Sequence, residues 1–266
     1  MIAGGTDLLP QMKNGVITTG VLVSLKEVRG LNGIAYVPYR GVVIGAKTTH
    51  NELSNSMVLQ EKYPSLSEAA QSMANNQVRN RGTIGGNLVS AVPSADLPPI
   101  LIALDASITL VGPQETRTTP LEKFFVGPRC SVIASDEILT EIVIPDQATT
   151  GSAYLKFGLR RSGALAVVGV AASVIERGKC IEGVRIVLGA VAPTPIRAFE
   201  AERLLIGNSV TEALLEEVGK TAAKECRPIS DIRGSADYRR NMVRVFTKRA
   251  LRKALKLTAS QTEEAG

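Results

Sequence analysis

The sequence predicts an α+β protein built as two units in tandem. Three observations lead there: strand-like runs and amphipathic helical stretches are interleaved along 266 residues, a polar, glycine-containing segment from Asp146 to Ser152 divides them, and two glycine-rich stretches, 3–9 and 79–91, both fall before that divide. Domains commonly run to roughly 100 to 150 residues, so this length accommodates two. The expected units are residues 1–148 and 149–258, with a frayed tail at 259–266.

From the start, Met1 to Ala3 reads as a strand end running into Gly4 and Gly5. Asp7 to Met12 follows as a short helix with Thr6 as its cap, and Val21 to Leu25 as a buried strand. Gly33 to Val37 and Gly41 to Ala46 are strands joined by a tight turn through Pro38, Tyr39 and Arg40. Two helix starts have capping-box spacing, Thr49 with Glu52 and Ser65 with Glu68, and the second is preferred because Leu66, Ala69, Ala70, Met73 and Ala74 then share one face. A loop from Arg79 to Ser90 follows. Asp96 to Ala103 reads as a helix, and Ser107 to Val111 and Leu139 to Ile144 as strands. Past the divide, Ala153 to Phe157, Ala166 to Ile175 and Val184 to Ala190 are strands. Glu200 to Leu205, Thr211 to Lys224 and Ala236 to Leu257 are helices, the last with Tyr238, Met242, Val245, Phe246 and Ala250 on its apolar face.

Composition excludes several classes. No apolar run approaches the roughly 20 residues of a membrane helix. A net charge of +6 without tryptophan, and with 4% aromatic residues, lacks the stacking groups of a nucleic-acid-binding module. The basic excess gathers in Arg239, Arg240, Arg244, Lys248, Arg249, Arg252, Lys253 and Lys256, at a spacing that suits the wet side of an amphipathic helix or a docking face. Cys130, Cys180 and Cys226 are scattered, and Met1 to Pro10 has no signal-peptide pattern, so a reducing, cytoplasmic setting is expected. Three isolated cysteines and the single His50 cannot form a four-ligand zinc or iron–sulfur site.

The chemistry lies in the glycines. In Ala3 to Leu9 (AGGTDLL), adjacent glycines allow a bulky anion close to backbone amides, and Thr6 adds a hydroxyl. Arg79 to Ala91 (RNRGTIGGNLVSA) repeats the pattern with Gly82, Gly85 and Gly86 between Thr83 and Asn87. Neither spacing is that of a phosphate-loop nucleotidase or of the G-x-G-x-x-G dinucleotide fingerprint. Each loop alone is more often a plain turn, and the two together suggest a diphosphate gripped from two sides.

The pair Ala3-Gly4-Gly5-Thr6-Asp7-Leu8 and Gln77-Val78-Arg79-Asn80-Arg81-Gly82-Thr83-Ile84-Gly85-Gly86-Asn87 resembles the two FAD-binding signatures of the flavoprotein subunits of molybdenum hydroxylases, the xanthine dehydrogenase and carbon monoxide dehydrogenase type. Ser94 to Pro98, Glu137 to Pro145, Tyr154 to Phe157 and Gly234 to Arg240 are similar to segments in the same positions of that family, so nearly the whole chain is covered. The resemblance implies a two-lobed FAD-binding domain of the vanillyl-alcohol oxidase type, with lobes about 1–50 and 51–148, followed by a smaller α+β domain of the CO dehydrogenase flavoprotein type. It implies FAD contacts at Ile2, Ala3, Gly4, Gly5, Thr6, Asp7 and Leu8 from one side and at Val78, Gly82, Thr83, Gly85, Gly86, Asn87 and Val89 from the other, with Asp96 at sugar or ribityl hydroxyls, Leu139 beside the cofactor and Lys156 near the flavin ring. Read from the residues alone, Asp96 is equally a helix cap and Lys156 a solvated strand residue.

Family members carry a few tens of residues before the first glycine loop, so the amino-terminal lobe is expected to lack a strand, a helix and part of the adenosine site. No catalytic nucleophile or acid–base set is visible, and flavin chemistry needs none from the side chains. The resemblance implies molybdopterin on a large partner subunit and [2Fe-2S] clusters on a small one, in a dimer of heterotrimers, with electrons leaving through FAD to an external acceptor. Competing readings are a scaffold subunit that has lost FAD and a stand-alone flavin oxidase. Gly85→Val and Gly5→Val are both expected to abolish FAD retention in a folded protein.

Overall fold

The computed structural model describes residues 1–146, 149–160, 163–178 and 180–256. The expected tail at 259–266, the end of the last helix at Leu257, and positions 147 and 148 of the dividing segment lie outside them. In chain order the elements are α1 (Leu8–Lys13), β1 (Ile34–Val37), β2 (Gly41–Gly45), α2 (His50–Asn55), α3 (Met57–Lys62), α4 (Pro64–Ser72), α5 (Asn76–Arg79), α6 (Ile84–Val89) and α7 (Leu97–Ala103). Next come β3 (Ser107–Val111), β4 (Thr116–Pro120), β5 (Phe125–Gly127), β6 (Cys130–Ser131) and β7 (Ile138–Ile144). The remainder is β8 (Gly151–Phe157), β9 (Val168–Arg177), β10 (Cys180–Gly189), β11 (Ile196–Arg197), α8 (Phe199–Leu205), α9 (Glu212–Glu225) and α10 (Ala236–Ala254). No helix among the described residues is long and apolar enough to cross a membrane.

Two antiparallel sheets organise the molecule, one of five strands in the order β1-β2-β7-β3-β4 and one of four in the order β11-β10-β9-β8. The first draws strands from both sides of residue 50, since β2 pairs with β7 from Val42 opposite Ile144 to Gly45 opposite Glu141. The expected lobes at 1–50 and 51–148 therefore share one sheet. Between the sheets runs α7, whose sequence LPPILIA is apolar all round and whose seven residues are all buried, as a helix covered on every side must be. Pro99 of α7 sits against Gly189 of β10, where an added Cβ would fall 2.6 Å from the proline ring. One core gathers on the first sheet and α4, α6 and α7, joined by Tyr154, Ala171 and Val187 from the second sheet. A second core fills the space between β9, β10 and α8 to α10.

Several expectations are corrected. The cap of α1 is Asp7, without a side-chain hydrogen bond, and not Thr6. Val21 to Leu25 is no buried strand: only Ser24 bridges to Ile2, and Val21 and Val23 stand 75% and 57% exposed because nothing pairs with their outer side. The capping box forms at Thr49 and Glu52, in both directions, but not at Ser65 and Glu68. There Pro64, with its fixed φ, takes the first helical position, Tyr63 precedes it, and the Ser65 hydroxyl turns to Ser152 Oγ at 2.6 Å. Ala74, at φ +40°, lies beyond α4. The stretch from Arg79 to Ser90 is largely helical, with Asn75 and Thr83 capping α5 and α6 through their side chains.

The buried face of α10 overlaps the expected one at Ala250, with Met242 and Phe246 packed against the second core, and is otherwise turned from it. It carries Val243, Thr247, Ala250, Leu251 and Ala254, while Tyr238 is exposed. Arg239, expected on the wet side, is buried; its guanidinium donates to the carbonyls of Val167 and Ala190 and to Asp231 Oδ1 at 2.6 Å. Arg244, Lys248 and Arg252 face α9 and pair with Glu216 and Glu212, so that side of α10 is an interhelical seam.

Candidate functional site

Both glycine stretches open onto one cleft of about 530 Å³. The second is strapped to the turn between β2 and α2 by backbone bonds: His50 N–H donates to the Gly82 carbonyl, Ile84 N–H to Thr48 and Gly85 N–H to Ala46, at 3.1, 2.9 and 2.8 Å. The first is anchored by a parallel bridge, with Ile2 N–H donating to Val23 and Leu25 N–H to Ile2. Between them there is no room for a side chain. A Cβ at Gly4 would fall 1.9 Å from the Arg81 carbonyl oxygen, and one at Gly82 would fall 2.9 Å from the edge of the His50 ring. Gly5 adopts φ +76°, a left-handed conformation that glycine takes at little cost.

The two loops differ in what they offer. The amides of Gly4, Gly5, Thr6, Asp7 and Leu8 donate to no group among the described residues, and all five residues line the cleft. Successive unpaired amides of this kind form a concavity suited to anions. In the second loop the amides of Ile84, Gly85, Gly86 and Asn87 are committed to Thr48, Ala46, the Thr83 hydroxyl and the Thr83 carbonyl. Its contribution comes from side chains. Thr83 Oγ1 keeps its own proton free to donate, and Asn87 Oδ1 is buried without a hydrogen-bond partner.

Of the expected site residues, Ile2, Ala3, Gly4, Gly5, Thr6, Asp7, Leu8, Val78, Gly82, Thr83, Gly86, Asn87, Val89 and Asp96 line the cleft. Gly85, Leu139 and Lys156 do not. Gly85 faces Ala46, where an added Cβ would meet the carbonyl oxygen at 2.7 Å, and Leu139 on β7 is buried in the first core. Lys156 is neither solvated nor at the cleft: its Nζ donates to Asp96 Oδ2 at 2.7 Å while the Tyr154 hydroxyl donates to Asp96 Oδ1 at 2.9 Å. Asp96 stands at the N-cap position of α7, but its side chain makes no capping hydrogen bond. Burial raises its carboxyl above the usual range, and the charge and hydrogen bonds of Lys156 and Tyr154 oppose that shift.

Other lining residues carried no sequence signal of their own. Met73 and Ala74 follow the end of α4, and Ala164 and Leu165 precede β9. Arg129 is exposed at φ +57° in the β5–β6 turn, with its N–H bonded to Ala91 O at 2.8 Å. His50 is 3% exposed, and burial, with the Arg79 charge second, holds its imidazole down at about 4. Among the described residues no cluster of His, Cys, Asp or Glu is arranged to hold a metal.

The chain resembles known proteins over nearly its whole length. Residues 1–147 match the family described as FAD binding domain in molybdopterin dehydrogenase, and residues 153–254 the CO dehydrogenase flavoprotein C-terminal domain. The chain is 37% identical over 255 residues to the carbon monoxide dehydrogenase medium chain of Hydrogenophaga pseudoflava, covering 96% of this chain and 88% of that one. It is 30% identical over 258 residues to the xanthine dehydrogenase FAD-binding subunit of Escherichia coli O157:H7, with the same coverage of 96% and 88%. A solved structure of carbon monoxide dehydrogenase from Hydrogenophaga pseudoflava superposes with a TM-score of 0.91 at 38% identity, covering 95% of this chain and 88% of that one. The chain belongs to the family of FAD-binding medium subunits of molybdenum-containing dehydrogenases and hydroxylases.

Proposed function

We propose that this chain holds FAD in an extended form, with the diphosphate seated where the two glycine loops meet, as the flavin subunit of a larger complex. The observation that carries the reading is the run of unpaired amides from Gly4 to Leu8, pressed against Gly82 in one cleft. The orphaned Asn87 Oδ1 supports it, because a buried acceptor without a partner is costly unless a ligand donor completes it. Gly86 leaves that wall open, since an added Cβ there would approach only Thr83 Oγ1.

The first loop supplies amides to the phosphate oxygens, Thr83 a hydroxyl, and Asn87 an amide group able to donate and accept. Asp96 presents its remaining lone pairs to sugar or ribityl hydroxyls. Lys156 acts from behind, fixing Asp96 in place. When bound, FAD supplies the redox chemistry, taking up electrons delivered by the [2Fe-2S] clusters of a small partner subunit and releasing them to an external acceptor. The large partner carries molybdopterin, the assembly is a dimer of heterotrimers in the cytoplasm, and this chain divides into units of 1–148 and 149–258.

The purified full chain should show the visible absorption bands of bound flavin, and a reduced [2Fe-2S] partner should bleach them under anaerobic conditions. Absence of bound flavin after incubation with FAD would point to a scaffold subunit. Bleaching by a small organic substrate without partners would point to a stand-alone oxidase.

A further inference from the structure

We propose that His50, the chain's single histidine, is a ligand of the cofactor diphosphate, donating a hydrogen bond from Nε2 to an anionic oxygen at the junction of the glycine loops. The inference rests on the FAD reading above.

His50 opens α2 and is 3% exposed, yet it lines the cleft. Its backbone N–H bonds the Gly82 carbonyl, and its Cδ2–Nε2 edge lies under the Gly82 Cα, where an added Cβ would fall 2.9 Å from both atoms. Gly4 also abuts the Arg81–Gly82 backbone, so the imidazole and the first glycine loop both border Gly82. Nδ1 is enclosed and has no hydrogen-bond partner. A neutral imidazole carries one proton. Either tautomer leaves Nδ1 unanswered, as donor or as acceptor, but only the Nε2–H tautomer gives the ring edge beside Gly82 a proton that an anion in the cleft can accept. Burial and the neighbouring Arg79 charge keep the ring neutral at physiological pH, so one fixed donor faces the ligand. Arg79 itself is engaged by Asn51 Oδ1 and the Met73 carbonyl.

A single histidine gives a single imidazole signal, which makes the test direct. The full chain is labelled with ¹⁵N-histidine, freed of flavin, and titrated separately with FAD, ADP and inorganic pyrophosphate. The expected result is a neutral Nε2–H tautomer whose proton moves downfield and exchanges more slowly with all three ligands. Pyrophosphate excludes ring-current shifts from the flavin or adenine. His50→Gln, whose amide nitrogen reaches the Nε2 position, should keep the FAD Kd within about threefold, whereas His50→Leu should raise it about tenfold or more. A histidine signal unmoved by saturating pyrophosphate and FAD while flavin still binds, an Nδ1–H tautomer, or equal damage from Gln and Leu would overturn the inference and leave the FAD reading intact. Failure of the unmodified chain to bind FAD at all would instead remove the reading on which it rests.

Discussion

Gly4 and Arg81, far apart in sequence, touch through their backbones: the position a Cβ would occupy on Gly4 lies 1.9 Å from the Arg81 carbonyl oxygen. Backbone cannot yield as a side-chain tip does, so Gly4→Ala must push the two loops apart. The expected cost is about 1–3 kcal/mol of stability together with a loss of FAD affinity of about tenfold or more. Gly86→Ala is the control, because its Cβ would meet only Thr83 Oγ1 at 3.0 Å. It should melt within a few degrees of the parent, and any loss of FAD binding then reports the space beside the ligand. Equal FAD dissociation constants for Gly4→Ala and the parent would show that loop contact is not what shapes the site.

Asn87 predicts the reverse combination. Its Oδ1 has no hydrogen-bond partner among the described residues, so Asn87→Ala removes an unsatisfied acceptor and should leave the stability of the chain without FAD unchanged or raise it by up to about 1 kcal/mol. FAD affinity should fall all the same. Thermal melts with and without FAD measure both quantities, and the stabilisation that FAD confers on the parent should shrink in the variant. A variant that loses stability in the absence of FAD would mean that Asn87 is structural.

The convergence of the two loops was legible because the glycines, Thr83 and Asn87 advertise close approach in their residue types. The facing of individual positions was not. Gly85 reads like its neighbour Gly86, but it is small because Ala46 lies 2.7 Å from where its Cβ would be. Gly85→Val is therefore a test of folding and not of cofactor binding. Leu139 and Lys156 stand on strands whose register no local pattern discloses. Ser65 shows how one proline overrides a capping-box spacing, and Arg239 how a tertiary network of two carbonyls and Asp231 buries a residue that helical periodicity assigns to solvent. In the sequence His50 reads only as an insufficient metal ligand, since its burial beside Gly82 depends on contacts distant in sequence.

His50 also sets a pH dependence. Its folded value of about 4 lies below the ordinary 6.5, so between these values the unfolded chain binds more protons than the folded one. Stability from this group is fully present above pH 6.5 and is lost as pH falls toward 4. The loss between pH 7 and pH 5 should be about 2 kcal/mol, in a range where unperturbed carboxylates scarcely titrate. His50→Gln removes the titrating group, so its unfolding free energy should vary less over that interval. Identical pH profiles for the variant and the parent would contradict a neutral, buried ring.

Lys156 and Asp96 give the last prediction. Asp96 is 6% exposed, and its charge is tolerated because Lys156 and Tyr154 both donate to it. Lys156→Met leaves a carboxylate buried with the tyrosine alone, at an expected cost of about 3 kcal/mol near pH 7. The same loss should raise the already elevated Asp96 pKa further. A carboxyl with a raised folded pKa binds protons more readily folded than unfolded, so acidification through that window restores stability, and the variant should approach the parent as pH falls from 7 toward the Asp96 pKa. Adding Asp96→Asn to Lys156→Met removes the charge and should recover much of the deficit at pH 7. Chemical denaturation of the parent and the two variants at pH 7 and pH 5 measures these differences, and a Lys156→Met protein as stable as the parent at pH 7 would show that Asp96 is already protonated in the folded chain.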